Sequence, residues 1–267
     1  MDAPRVSRVI RKTKDIRLKI EDESDEMPEL KRPTDILSAN KVSGWSLNFP
    51  IQGTCNPSKL CIKTCYYAAG MTAWTNSLRK QMWNHRTCVE DPIWFADEVV
   101  KEYRKRSLTY LRWNGGGDLF PESVEALHHI GEFYPDVVIW VVTRIPAMAA
   151  MVKNYPNLHL HFSLDKESMI RKEQVMALEP PMGDRLFFSY QCDKGEYPDM
   201  SALIAKGVSL FFFDNYKVPP LLYATLLAKA GPEYGALCPL NIRKAKGDSI
   251  EGTCGECKRC FDGTLSS

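Results

Sequence analysis

Six short apolar runs recur along the middle of this 267-residue chain and alternate with segments of helical periodicity. The runs are rich in β-branched and aromatic residues and have the length of buried strands. They cover residues 45–51, 108–113, 137–142, 158–163, 185–190 and 208–213. Segments of helical period cover residues 91–106, 121–133, 146–153, 166–178, 199–207 and 219–231. Strands that are apolar on both faces and alternate with helices predict a parallel sheet covered by helices, either an open doubly wound sheet or an incomplete barrel.

Polar residues follow the predicted strands, where the carboxyl ends of parallel strands usually carry the functional site. These positions are Gly115, Gly116, Gly117 and Asp118 after the second strand, Thr143 and Arg144 after the third, Ser163 and Asp165 at the fourth, Gln191 and Cys192 at the fifth, and Asp214 and Asn215 after the sixth. Helix capping by the aspartates and turn formation by the glycines are the alternatives that the sequence leaves open. The joint placement favours one polar rim.

Three cysteines follow the first predicted strand, at Cys55, Cys61 and Cys65, with five and three residues between them. The chain has nine cysteines and no apolar stretch near the roughly 20 residues of a membrane span, so we expect an intracellular, reduced protein. Three thiolates in one loop suit a metal centre with an open position. A 4Fe-4S cluster, a catalytic zinc ion and buried unligated thiols are the three interpretations.

A second cysteine group lies near the C-terminus and consists of Cys238, Cys254, Cys257 and Cys260. Four thiols can complete the ligand shell of an auxiliary 4Fe-4S cluster or of a structural zinc ion. Of the remaining cysteines, Cys88 is expected in the core, whereas Cys192 suits either packing or substrate contact. The aromatic residues Trp113 and Trp140 are also expected in the core.

The segments 45–70 (WSLNFPIQGTCNPSKLCIKTCYYAAG) and 112–120 (RWNGGGDLF), with the cysteine-rich tail, resemble the phage Gene product 88 family, a group similar to the radical S-adenosylmethionine (SAM) superfamily. The cysteine gaps of five and three are wider than the usual three and two, and Asp118 stands where the superfamily has glutamate. The resemblance implies a partial (β/α)6 barrel over residues 43–232. The charge pattern predicts an arm at 1–42, and the four tail cysteines predict a metal-binding segment at 233–267.

In the superfamily the three cysteines hold a 4Fe-4S cluster whose free iron binds the amino and carboxylate groups of SAM. The resemblance therefore implies that Cys55, Cys61 and Cys65 are the cluster ligands and catalytic residues. Carried over by position, Asp118 and the glycines hold the methionine amino group, and Ser163 and Asp165 contact the ribose and carboxylate. The full set expected to bind the cofactor is Tyr66, Tyr67, Gly115, Gly116, Gly117, Asp118, Thr143, Arg144, Ser163, Asp165 and Gln191.

The implied activity is reductive cleavage of SAM to a 5′-deoxyadenosyl radical that abstracts a hydrogen atom from the substrate. A phage DNA isomerase acting on an amino-acid-modified thymidine is one expectation. An enzyme for a small molecule or peptide, and a zinc-stapled nucleic-acid-binding protein without activity, are the alternatives. The basic residues between positions 5 and 19 suit a DNA backbone, and a solvated or subunit-clasping arm is the more usual role of such a charge run. A reductase or flavodoxin-type electron donor, no membrane partner and a cytoplasmic location in a bacterial host complete the prediction.

Overall fold

The computed structural model describes residues 30–40, 44–68, 70–193 and 198–213. Its seven strands are β1 (Ser38–Asn40), β2 (Gly44–Ser46), β3 (Leu111–Trp113), β4 (Ile139–Thr143), β5 (Leu158–Leu164), β6 (Leu186–Cys192) and β7 (Val208–Phe213). Its helices are α1 (Lys59–Thr64), α2 (Thr75–Glu90), α3 (Pro92–Lys105), α4 (Pro121–Phe133), α5 (Pro146–Met151), α6 (Ile170–Ala177) and α7 (Met200–Ala205). A kinked helical turn covers Ile51–Thr54, and 3-10 turns cover Tyr66–Ala68, Gly70–Ala73 and Gly183–Arg185.

All seven strands form one mixed sheet whose spatial order is the same as their order in the chain. β1 runs antiparallel to β2, and every other neighbouring pair is parallel. A doubly wound sheet is defined by a point at which the strand order reverses. The order of these strands contains no such reversal. The described strands therefore exclude the doubly wound alternative, and the sheet that they form is open.

The later strands lie close to their predicted positions, because dense runs of Val, Ile, Leu and Phe specify buried strands strongly. The first predicted strand was too long: β2 ends at Ser46, and residues 47–50 continue irregularly. That extension still pairs with the chain after β3, since Leu47 N donates to Arg112 O and Gly115 N donates to Leu47 O, both at 2.9 Å. Pairing therefore carries the chain from β2 directly into the cysteine segment.

Helix α2 was not predicted, although it is the longest described helix at 16 residues. Its buried face contains the polar residues Gln81 and Asn84 beside Leu78 and Trp83, so no apolar period marks it. Asn84 Nδ2 donates to Ile36 O at 3.1 Å and to Asn48 O at 3.0 Å. These bonds attach α2 to backbone carbonyls on two other segments.

Helix α3 begins as its sequence predicts. Asp91 Oδ1 accepts a hydrogen bond of 2.9 Å from Trp94 N, Pro92 occupies the first turn, and Arg104 and Lys105 lie in the last turn. The first two features satisfy the helix N-terminus, and the two cations oppose the negative end of its dipole.

The two faces of the sheet differ in composition, which corrects the expectation that both are apolar. Side chains alternate between faces along each strand. One face belongs to the main core, in which Trp113, Cys88 and Cys192 are fully buried. The opposite face, called the second face below, carries Arg112, Trp140, His159, His161, Ser163, Phe187, Ser189 and Gln191 at the alternate positions. No described helix has the length and apolar character of a membrane span.

Candidate functional site

The three cysteines of the first group lie in one segment, residues 51–65, which is called the cysteine loop below. Cys55 follows the kinked turn, Cys61 lies within α1, and Cys65 is the residue that ends α1. All three are partly buried and none forms a disulfide. Three hydroxyl side chains in this loop, Thr54, Ser58 and Thr64, attach it to residues at the carboxyl ends of the strands.

The first attachment precedes Cys55. Thr54 Oγ1 accepts a hydrogen bond of 3.0 Å from the backbone N of Asp118 and donates one of 2.6 Å to Pro50 O. The Asp118 carboxylate accepts bonds from Leu119 N at 2.8 Å, from Thr143 Oγ1 at 2.6 Å and from Arg144 N at 3.1 Å. Asp118 thus joins the cysteine loop to the ends of β3 and β4.

The second attachment lies at the start of α1. Ser58 Oγ accepts a bond of 3.2 Å from Cys61 N, as a helix N-cap does, and donates to Asp165 Oδ2. Asp165 is fully buried, and its other oxygen accepts a bond of 2.9 Å from Ser168 N. Asp165 therefore caps the turn that follows β5, as the capping alternative predicted, and also holds the cysteine loop.

The third attachment lies at the end of α1, where Gln191 Nε2 donates to Thr64 Oγ1 at 3.0 Å. Arg144 connects this attachment with the second one, because its Nη1 donates to Asp165 Oδ2 at 2.8 Å and its Nη2 donates to Gln191 Oε1 at 2.5 Å. The result is a continuous polar chain from one end of α1 to the other. We call this set, Ser58, Thr64, Arg144, Asp165 and Gln191, the Arg144 clamp.

Charge is distributed unequally between the two aspartates. Burial raises the pKa of Asp165, but the bonds from Ser58, Arg144 and Ser168 outweigh it and hold that pKa below its usual value. Among the described residues no cationic side chain donates a bond to Asp118, and burial raises its pKa to about 6 despite its hydrogen bonds. The Arg144 clamp therefore contains an ionised pair, whereas Asp118 titrates close to neutral pH.

The thiols share one electrostatic neighbourhood. Burial, Asp118 and the other two thiols raise the pKa of Cys55 far above its usual value. Burial raises the pKa of Cys61 to about 11, although the Arg144 guanidinium opposes the shift. Both thiols are therefore protonated at neutral pH, and a metal must displace protons in order to bind them.

The donor type fits a thiolate-bound metal or cluster, since three mutually interacting thiols lie in one anchored loop. Within the described ranges, however, no three or more side chains of Cys, His, Asp or Glu converge in a metal-binding geometry. The thiols therefore fit a metal or cluster in their donor type and in their closeness along one loop. Their present positions do not form a ligand shell.

The glycines after β3 pack against the chain itself. Gly117 has a φ of +82°, and a Cβ there would lie 2.8 Å from Phe49 O. A Cβ on Gly116 would lie 2.2 Å from the ring of Tyr67, and one on Gly115 would lie 2.3 Å from Asn48 Oδ1. Sequence reasoning assigned these glycines to ligand approach; in the structure they give room to the β2 extension and to Tyr67.

The structure brings together five of the predicted cofactor-binding positions around the cysteine loop, namely Asp118, Thr143, Arg144, Asp165 and Gln191. Ser163 is buried on the second face, and Cys192 packs in the core, which favours the packing alternative for that thiol. Asp118 does not cap α4, whose N-cap is Phe120. The Tyr66 side chain, Asp214, Asn215 and the four tail cysteines Cys238, Cys254, Cys257 and Cys260 lie outside the described residues.

Sequence reasoning missed the three hydroxyl residues Thr54, Ser58 and Thr64. A signal was present for each of them, since Thr54 and Thr64 directly precede cysteines and Ser58 stands three residues before Cys61, the spacing of an N-cap bond. The partners of these hydroxyls lie between 64 and 127 residues away in the chain. No local pattern identifies such distant partners.

Comparison with known proteins identifies one family. A family model described as Gene product 88 matches residues 19–263 of the chain. No curated protein and no solved structure matches it significantly.

Proposed function

The chain belongs to the Gene product 88 family of phage proteins, and on that premise we propose that it is a radical SAM enzyme. The proposal combines the resemblance of its motifs to the radical SAM superfamily with the anchored three-cysteine loop. It includes the partial (β/α)6 barrel, the auxiliary cluster or zinc ion at the tail cysteines, and cytoplasmic action inside a bacterial host.

The sheet order supports the barrel. Six parallel strands, β2 to β7, follow one another in space as they do in the chain, and helical segments connect them. When each parallel strand is followed by a right-handed crossover to the next strand in the sheet, the sheet curls. The carboxyl ends of its strands then lie at one rim. The residues that hold the cysteine loop come from the ends of β3, β4, β5 and β6.

The observation that carries the proposal is that three hydroxyls beside the cysteines are each bonded to a strand-end residue. A loop held at three points presents its thiols with little loss of conformational entropy when a cofactor binds. Arg144 places a buried positive charge near Cys61, where it acts to lower the pKa of that thiol and so stabilises the thiolate that a metal would bind. In this proposal these residues hold the cysteine loop in position and exclude water from it. That role does not require them to touch the reacting atoms.

When bound, a 4Fe-4S cluster would supply the electron that cleaves SAM to methionine and a 5′-deoxyadenosyl radical. The proposed electron source is a reductase or flavodoxin-type protein. A modified thymidine in phage DNA is the proposed substrate, and hydrogen abstraction from it would begin the isomerisation.

The test is reductive cleavage of SAM by anaerobically reconstituted protein under dithionite, measured as 5′-deoxyadenosine. We expect the wild-type protein to form the product and the Cys55→Ala, Cys61→Ala, Cys65→Ala triple variant to form none above background. Cys88→Ala is the matched control, because Cys88 is a core thiol and its removal should leave product formation intact. Product from the triple variant, or none from iron-replete wild-type protein, would contradict the proposal.

A further inference from the structure

A pocket of about 360 Å³ lies between the segment that precedes β1 and the first turns of α2. It opens to solvent, and both segments contribute polar side chains to its wall. The polar residues that line it are Lys31, Thr34, Asp35, Asn76, Arg79 and Lys80. Its volume is at the lower end of the usual range for ligand pockets, which suits a small molecule.

The wall of this pocket has an excess of positive charge. Three of the described residues that line it are cations and one is a carboxylate, so two positive charges are in excess. The carboxylate, Asp35, is already paired with Arg106. Lys31 and Arg79 are exposed, and neither forms an ion pair with another residue in the part of the chain that the structure describes. Their charged groups are therefore accessible to a ligand.

Lys80 is the least exposed of the three cations. Its Nζ donates a hydrogen bond of 2.9 Å to Leu37 O, which fixes the ammonium group beside the segment that precedes β1. Burial lowers the pKa of Lys80, because the ammonium loses part of its hydration. An anion in the pocket would offset that cost. The Thr34 hydroxyl and the Asn76 amide add two uncharged groups that can donate hydrogen bonds to an anion.

The pocket and the cysteine loop contact different sides of α2. Leu78 and Met82, one turn apart, belong to a small apolar cluster that also includes Ile62 and Cys65 of the cysteine loop. The three pocket residues of α2 are spaced by three and four positions and therefore share another side of the helix. At about 100° per residue, the two sides are centred roughly 140° apart. A ligand in the pocket would therefore not occupy the proposed cofactor site.

We infer that this pocket binds a phosphate group, either that of the free phosphate ion or that of a small phosphomonoester. A phosphate dianion matches the two excess charges, and its oxygens accept hydrogen bonds from guanidinium, ammonium, hydroxyl and amide donors. A carboxylate has one charge and two oxygens, so it satisfies a smaller part of the same set. The inference does not depend on the proposed function, because no pocket residue belongs to the cysteine loop or to the Arg144 clamp.

Binding is tested by calorimetry on the full-length protein, without reductant or SAM and at constant ionic strength near neutral pH. The probes are inorganic phosphate, glycerol 3-phosphate and acetate. We expect saturable binding of at least one phosphate probe, with acetate weaker by about 10-fold or more. Arg79→Gln should weaken phosphate binding by about 10-fold, the lower end of the range for a charge-assisted hydrogen bond, because Arg79 is exposed. Equal affinity for both phosphate probes identifies the phosphate ion as sufficient, and tighter binding of glycerol 3-phosphate identifies a phosphomonoester.

Matched variants on the same helix separate the pocket from general charge effects. Arg86→Gln removes the same charge from α2 at a residue that pairs with Glu90 and does not line the pocket, so the affinity should not change. Arg79→Lys keeps the charge and should retain most of the affinity. Absence of saturable binding by both phosphate probes, acetate binding as tight as that of phosphate, or equal weakening by Arg79→Gln and Arg86→Gln would overturn the inference.

Discussion

Replacing Arg144 with methionine should lower the free energy of unfolding by about 3–5 kcal/mol, the usual cost of breaking a buried ion pair by removing one partner. The side chains of Arg144 and Asp165 are 9% and 0% exposed, so water cannot replace the lost guanidinium. Gln191 Oε1 would lose its donor at the same time. The change is measured by urea unfolding of the metal-free protein, which removes any contribution of a bound cluster.

Arg104→Met is the control for this prediction. Arg104 donates three hydrogen bonds to Asp136, but those side chains are 52% and 59% exposed, so the loss should be much smaller than for Arg144→Met. Equal losses in the two variants would mean that the Arg144 clamp does not hold the cysteine loop in place. Arg144→Met could also lower the free energy of unfolding strongly and leave the reactivity of Cys61 toward an alkylating reagent unchanged. In that case Arg144 would stabilise the fold without anchoring α1.

Replacing Gly117 with alanine should destabilise the protein by about 2–5 kcal/mol, from the left-handed backbone together with a steric clash. The φ of +82° disfavours any Cβ, and the added atom would lie 2.8 Å from Phe49 O, which is backbone and cannot rotate away. The next residue, Asp118, holds Thr54, so the distortion should reach the cysteine loop. The measurement is again the free energy of unfolding in urea.

Gly183→Ala is the matched comparison, because Gly183 also has a positive φ, of +51°, but no heavy atom lies within 4 Å of the added Cβ. That substitution should cost only the conformational part, about 1–2 kcal/mol. Equal costs at the two positions would show that the close packing of the glycine turn against Phe49 contributes nothing.

The strands could be predicted because a buried sheet face requires apolar side chains along each strand, as in residues 158–163 and 208–213, which lie within β5 and β7. The rim of polar residues could be predicted from the position of Arg144, Asp165 and Gln191 at strand ends. The bonds among them could not, because Arg144 and Gln191 are 47 residues apart and only the register of the sheet brings them together.

Other features were hidden for different physical reasons. The helical period of α2 is hidden because polar residues lie on its buried face. The difference between the two faces of β5 is hidden because His159 and His161 alternate with apolar residues, so the whole run still appears hydrophobic. That the glycines pack against Tyr67 and Phe49 could not be predicted, because a turn of three glycines suits a ligand and a close neighbouring segment equally well.

We propose that the cysteine loop, held by the Arg144 clamp, is a metal centre. This proposal is tested most directly by iron, acid-labile sulfide and zinc analysis of the anaerobically reconstituted wild-type protein and of the triple variant in which Cys55, Cys61 and Cys65 are alanine. With clusters at both cysteine groups, we expect about eight irons per wild-type chain and about four in the triple variant, which keeps the tail ligands. Equal iron in the two proteins, or zinc without iron in the wild-type protein, would contradict the account.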